Sequence, residues 1–426
     1  MKNKITCGFA DGLITPVLNG TFLDGYGFRQ SPAEEIRDEL HAKVMAVGGE
    51  GQGDAFLVYS LDLLALNPDL YKLVSRQIAA VTGIPVERIA LNFIHTHSAP
   101  CAGGLAEMPI DTDYFAHVGD LCGELGLRAM ERRVPGSFTA EILPERLIHA
   151  YNRRGRDVFD PRIRAATFRD ESGKLRGVIC TANCHAVVNR RMSVSADWLS
   201  VLNRSSTDEV PLLFFQGRGA DIDPKADPGM GPDELIETLG AELADPVLRF
   251  AARSGEGEPA AGEVRSHYEW LRVPMKPMRD IDALKASVRE AERAYFAAPV
   301  GERHFPLREL QWRRRMLDLA EAGITNDLTV PMQSLTVGDS LAFAFVPFEL
   351  LTLAGDAIEA IYAADGWRAE RIFVCGYTNS VNGYLAPREE FAHGGYEVAG
   401  ASHWFNVSET CEDSADAVIG WFRENR

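Results

Sequence analysis

The chain has 426 residues, 46% hydrophobic and 25% charged, which is an ordinary globular composition with material for a large core. Its formal net charge is −17 and its densest basic run is Arg313-Arg314-Arg315, so neither nucleic acid nor an anionic membrane surface is expected as the main partner. Seven scattered cysteines without a C-x-x-C pair read as free buried thiols, and with them a reducing compartment.

The N-terminal stretch has no apolar signal region, and no apolar run approaches the ~20 residues that cross a bilayer. A soluble, cytoplasmic protein without membrane insertion is expected. Residues 5–30 are rich in glycine and aromatics and predict a strand with turns. Residues 42–47 and 55–63 read as strands. The second carries Asp62, a carboxylate in an apolar run; it is expected either to orient a histidine or to cap the next segment. The apolar spacing of Leu70, Leu73, Val74, Ile78 and Val81 predicts a helix over 68–82. Strand, helix and the next strand at 89–94 suggest a βαβ crossover.

That strand ends in His95-Thr96-His97-Ser98. Side chains alternate along a strand, so His95 and His97 are expected on one face. Two imidazoles at a strand end are a common start for a transition-metal site, and equally a polar loop with one bonded histidine. A helix is predicted over 113–133 and a strand over 137–147, followed by Tyr151-Asn152-Arg153-Arg154. Strands at 163–168 and 178–183 form a hairpin across Glu171-Ser172-Gly173, the second delivering Cys184-His185. The strand Pro211–Phe215 delivers Gln216 to Pro224, including Asp221 and Asp223. Three such strand ends suggest one rim of a sheet, where open α/β proteins place their sites.

Residues 232–254 predict a helix broken or kinked near Pro246, residues 254–262 an exposed loop, and 262–273 a strand. Two charged helical segments over about 279–323 predict a hairpin on the outside, its arginine run a solvated face. Strands at 328–335 and 341–347 pair across Gly338-Asp339 and end at Glu349; a helix over 350–363, a strand at 371–376 and a helix over 413–424 complete the pattern. Length alone suggests two or three domains, but no linker interrupts the chain. The expectation is one α/β domain over 1–426, with mixed central sheets flanked by helices and a metal site at strand C-terminal ends.

His95, His185 and Glu349 each end an apolar strand. Two histidines and a carboxylate, with water in an open position, make a typical catalytic zinc site. At this level the chain resembles the catalytic domain of the neutral/alkaline, non-lysosomal ceramidases. The resemblance covers nearly all of the chain. It rests on Leu13-Ile14-Thr15-Pro16, Gly25-Tyr26-Gly27, His95 to Pro100, Asn152-Arg153, Asn183-Cys184-His185, Ser195-Ala196-Asp197, Gln216-Gly217 through Pro224, Val346 to Glu349, and Gly376-Tyr377-Thr378-Asn379 through Tyr396-Glu397. It implies Zn2+ with His95, His185, Glu349 and Tyr384 as ligands. It also implies that His97, Arg153 and Tyr396 contact a scissile amide and its oxyanion.

The chain departs from that pattern in three ways. Ceramidases carry Gly-Asp-Val-Ser-Pro-Asn where this chain has Ala220-Asp221-Ile222-Asp223-Pro224-Lys225, so Asp223 replaces a serine. The sequence ends soon after Tyr396-Glu397 and opens on no apolar signal region, so neither the C-terminal β-domain of longer ceramidases nor a secretion signal is expected. A carboxylate at 223 would accept a proton or bind a polar group and would repel a long acyl chain, unless Lys225 or Arg218 paired with it. The expected function is therefore hydrolysis of an amide or ester in a small, polar, soluble substrate by metal-activated water. His97 or Asp223 would handle the proton. The alternatives are a true ceramidase, the same metal acting on a lactone or glycosidic bond, and a non-catalytic binding protein; retention of all seven site positions weighs against the last. A homo-oligomer is left open.

Overall fold

The computed structural model describes residues 4–102, 109–255, 257, 259–324 and 327–426. Two residues of the expected loop over 254–262, at positions 256 and 258, lie outside the described residues. Two sheets carry the architecture. The larger has eight strands in the spatial order Leu212–Gln216, Leu175–Ala182, Arg162–Asp170, Val134–Arg146, Thr6–Leu13, His41–Gly48, Phe56–Leu61, Ile89–Phe93. Its two outermost pairs are parallel and the rest antiparallel. The smaller orders Val264–Val273, Leu328–Val337, Leu341–Phe345 and Ile372–Cys375, with the last pair parallel.

Strand alternation sorts the side chains into layers. In His41–Gly48, Ala42, Val44 and Ala46 face one cluster and Met45 and Val47 another. In Leu341–Phe345, Leu341, Phe343 and Phe345 join the cluster of Met45 and Val47, while Ala342 and Ala344 face the opposite way. The two sheets thus pack face to face through a shared apolar layer. Helices Pro68–Thr82, Thr112–Glu131 and Pro232–Arg253 cover the outer face of the large sheet. Helices Thr352–Ala364 and Glu412–Glu424 cover that of the small one. The result is a helix–sheet–sheet–helix stack with mixed sheets.

The predicted helix over 68–82 forms with those bounds; Asn67 caps it through Asp69 N and Leu70 N, and Gly83 closes it in the left-handed region. It crosses between the parallel strands Phe56–Leu61 and Ile89–Phe93, as the βαβ reading requires. Both predicted hairpins form. Asp62 takes neither expected role: it is buried and accepts from His41 N at 2.8 Å and Asn203 Nδ2 at 2.6 Å. Its carboxylate ties three segments of the core together, and burial raises its pKa. The break expected at Pro246 does not end the helix, which runs unbroken from Pro232 to Arg253. Tertiary packing outweighs the lost bond, since Pro246, Leu243, Val247 and Phe250 are all buried against the sheet. All seven cysteines are free.

The large sheet curls until its outer strands meet. Ser60 Oγ donates to Phe214 O at 2.6 Å, and Gln216 N donates to Asn92 Oδ1 at 2.9 Å. Asn92 Nδ2 reaches Gly376 O at 2.7 Å and Phe93 N donates to Tyr377 O at 3.0 Å, joining the end of the small sheet to the same point. The segments that follow Phe93, Ala182, Gln216, Phe345 and Cys375 are therefore neighbours.

Candidate active site

His95 does not reach the site by strand alternation. The strand stops at Phe93, and His95 adopts a left-handed backbone with φ 63°. The turn is held by His95 N donating to Leu63 O at 3.0 Å, and His97 N donating to Ala186 O at 3.1 Å lays the segment beside His185. The two imidazoles of the His-x-His still meet, with their Nε2 atoms 3.3 Å apart. His185 follows Ala182, its backbone N–H bonded to Ile222 O at 2.9 Å. Glu349 lies in a two-residue strand, Glu349–Leu350, whose parallel partner is Tyr384–Leu385, with Glu349 directly opposite Tyr384.

The proton positions of two imidazoles follow from their partners. His95 Nδ1 lies 2.9 Å from Leu64 O, and His185 Nδ1 lies 2.7 Å from Gly219 O. A carbonyl only accepts, so both Nδ1 atoms carry hydrogen and donate. The Nε2 lone pairs then face inward. There they meet Glu349 Oε2, at 3.3 Å from His95 and 3.2 Å from His185. Inward nitrogen lone pairs against a carboxylate oxygen call for a cation between them. This donor set fits zinc: two imidazole nitrogens and one carboxylate from three separate chain segments, nearly fully buried. His95, His97 and His185 also form a group whose ligand atoms lie within 4.8 Å of one another, so His97 too stands within reach of the same centre.

Burial would raise the Glu349 carboxyl, but the His95 and His185 imidazoles beside it hold it well below the usual carboxylate range. Burial, with His95 and His185 beside it, pushes His97 well below the usual imidazole range. Burial and the nearby Glu349 raise the Tyr384 phenol. His97 Nδ1 is buried without a hydrogen-bond partner, and so is the Tyr377 hydroxyl, whose ring packs on His95 at 4.3 Å between centroids. Gly25, at φ +91°, lies so close to His97 that a Cβ would sit 2.4 Å from Nδ1.

Arg153 joins the other expected residues. Nε donates to Glu397 Oε1 at 2.9 Å, Nη1 to Asp223 Oδ1 at 3.0 Å, and Nη2 to the Tyr384 hydroxyl at 3.2 Å. Although burial works against the charge, Tyr384, Asp223 and Glu397 keep the guanidinium protonated. Of its five N–H groups, three are spent here, which leaves two without a partner among the described residues. The partner of Asp223 is thus Arg153, not Lys225 or Arg218. Asp223 also lies on the far side of His185, 3.9 Å from Nδ1. Tyr396 is 44% exposed, with its ring against Tyr384 at 5.5 Å.

All eight residues singled out in the sequence are therefore gathered at one place. Sequence reasoning missed Glu397 as the anchor of Arg153 and Arg154, and Asp221, which accepts from Asn152 Nδ2 at 2.8 Å and Thr352 Oγ1 at 2.8 Å. The adjacency of Glu397 to Tyr396 was the available signal for the first. It also missed that the helical hairpin, Ile281–Ala297 and His304–Glu321, is more than an outer cover. Phe305 reaches a cleft of about 300 Å3 whose floor includes His95, His97 and Glu349. The arginine run behaves as expected: Arg313 pairs with Glu309 and Glu290, and Arg314 with Glu292, near the surface. A second carboxylate group, Asp160, Asp356 and Glu359, surrounds the buried guanidinium of Arg218 and already has its cation.

Among solved structures, the chain is similar to neutral ceramidase from Pseudomonas aeruginosa, with a TM-score of 0.75 and 19% identity, over 100% of this chain and 74% of that one. A structure described as ceramidase complexed with C2 matches with a TM-score of 0.74 and 17% identity, over 99% and 74%. No family model matches, and no curated protein matches. The fold is ceramidase-like.

Proposed function

We propose that this ceramidase-like chain, acting as one structural unit, is a zinc-dependent hydrolase that cleaves an amide or ester in a small, water-soluble substrate. The observation that carries the reading is the convergence of two inward imidazole lone pairs, one carboxylate and one guanidinium, with His95, Glu349 and the Arg153 partner Tyr384 lining a single cleft. His95, His185 and Glu349 would hold the ion, with Tyr384 opposite Glu349 as the fourth donor. Zinc held there supplies a Lewis acid that polarises a carbonyl and makes water acidic near neutral pH.

The remaining steps belong to the chain. His97 faces the same centre through Nε2 and takes the proton of the attacking water. Arg153, steadied by Glu397 and Asp223, directs its two spare N–H groups at the oxyanion, with the Tyr396 hydroxyl beside it. Asp223 positions Arg153 through Oδ1 instead of handling the proton itself, since it stands on the Nδ1 side of His185, away from the Nε2 atoms that meet Glu349. The polar-substrate expectation drawn from a free carboxylate at 223 loses its premise. Small size now rests on the cleft, which sits at the low end of the ~300–1,000 Å3 usual for small-molecule sites.

Hydrolysis of ceramide is the competing reading, favoured by the aromatic lining of the cleft. The test is a screen of the zinc-loaded protein against soluble amides and esters and against long-chain ceramides in detergent. Turnover of soluble compounds above ceramide supports the reading; efficient cleavage of ceramide alone replaces it. No helix among the described residues is long and apolar enough to cross a membrane.

A further inference from the structure

The outer half of the cleft is built from aromatic rings contributed by three distant segments. Tyr26 and Phe28 stack at 5.0 Å on one side. Phe305 and Trp404 meet edge to face at 5.5 Å and adjoin that segment. Gly27 lies directly beneath the second pair, since a Cβ there would come within 2.8 Å of the Trp404 ring. Phe28 and Phe305 are about half exposed, although apolar rings of this size usually gain from burial. The lining carboxylates are two. Glu349 belongs to the candidate metal cluster, and both oxygens of Asp24 are bonded to backbone, accepting from Gly25 N and Ala102 N at 3.0 Å each. Among the described residues that line the cleft, the outer walls carry no other acidic side chain and no Lys or Arg.

The wall is also braced. Arg308 donates to Trp404 O and lies over its ring at 5.8 Å. Trp312 Nε1 donates to Val407 O at 2.7 Å, and Trp312 stacks on His403, whose Nδ1 is 2.5 Å from Glu309. The helical hairpin therefore holds the turn that carries Trp404, and both aromatic pairs open onto the same floor. A preformed cleft lined by aromatic rings takes a flat, compact group better than a flexible chain, because a flat group stacks on a ring and immobilises few rotors.

We propose that Phe28, Phe305 and Trp404 form a subsite for a compact, flat apolar group, such as an aryl ring, attached close to the scissile bond. This rests on the proposed function for the identity of the bond, though not for the binding itself. The subsite would set specificity, and the hairpin would exist to place one wall of it.

The experiment measures binding and turnover separately. Calorimetric dissociation constants are taken for acetamide, phenylacetamide and hexadecanamide in detergent, with wild type, Phe305→Ala, Trp404→Ala and Trp404→Phe. Phenylacetamide should bind about tenfold or more tighter than acetamide and tighter than hexadecanamide. Phe305→Ala and Trp404→Ala should erase most of that ratio, and Trp404→Phe should keep much of it. An unchanged ratio in both alanine variants, or tightest binding by the long chain, overturns the proposal. Phe305 is half exposed, so its variant should fold even if Trp404→Ala does not. Turnover of phenylacetyl and acetyl esters with a common leaving group is then compared. Aryl binding without hydrolysis would remove the proposed reaction and leave the subsite standing.

Discussion

Replacing Arg153 separates the two jobs assigned to it. Its side chain is 21% exposed, and it holds Glu397, at 4%, and Asp223, at 25%. Removing one partner of a fully buried pair costs roughly 3–5 kcal/mol. Glu397 keeps Arg154 as a second cation and Asp223 is partly solvated, so Arg153→Ala should cost less, about 2 kcal/mol. The catalytic loss should be larger. Deleting a donor to an oxyanion lowers kcat by about 10²–10³, or roughly 2.7–4 kcal/mol. Arg153→Lys keeps the charge without the fork that spans three acceptors, and should recover only part of the rate. Chemical denaturation gives the first number, and kcat on the best soluble substrate gives the second, with zinc content measured alongside. A kcat within about tenfold of wild type, with the stability loss as calculated, would refute the oxyanion role and leave Arg153 as an organiser of the site.

The purified protein should hold about one zinc per chain, and His95→Ala/His185→Ala should abolish it by elemental analysis. His97→Ala should retain zinc and lose turnover; loss of zinc instead would make His97 a ligand, which its 3.3 Å approach to His95 permits geometrically. Arg218→Met should destabilise the fold by about 2 kcal/mol without changing zinc content, less than the roughly 3–5 kcal/mol of an unpaired buried charge, because Asp160 and Glu359 lose Arg218 but keep Arg162 and Arg164. His149 gains Glu242 at 2.5 Å, and this hydrogen bond raises its pKa above the unfolded value of about 6.5. Its contribution is thus full below that pH and is lost as pH rises through the folded pKa. Denaturation curves of His149→Gln should show a smaller fall in stability above about pH 6.5 than wild type.

The elements were legible because their signals are local. Period and caps marked Pro68–Thr82, and apolar runs marked the strands that end near His95, His185 and Glu349. Motif order carried the ceramidase-like fold. What ends a strand was less legible: His95 reaches the centre through a left-handed turn, where alternation alone would have placed it by continuing the strand. Pro246 sits inside a helix because burial against the sheet outweighs a local preference.

By itself, the sequence determined which residue types stand at the strand ends, and so the chemistry available there. Only the tertiary structure decided who pairs with whom. Asp223 meets Arg153 from 70 positions away, and Glu397 meets it from 244. The cleft wall joins Phe28, Phe305 and Trp404, which share no local pattern. The physical reason is that periodicity reports the environment of a side chain along its own element, apolar or polar. The partner across a site is set by where two sheets curl, meet and bring their ends together, and no spacing within one element encodes that.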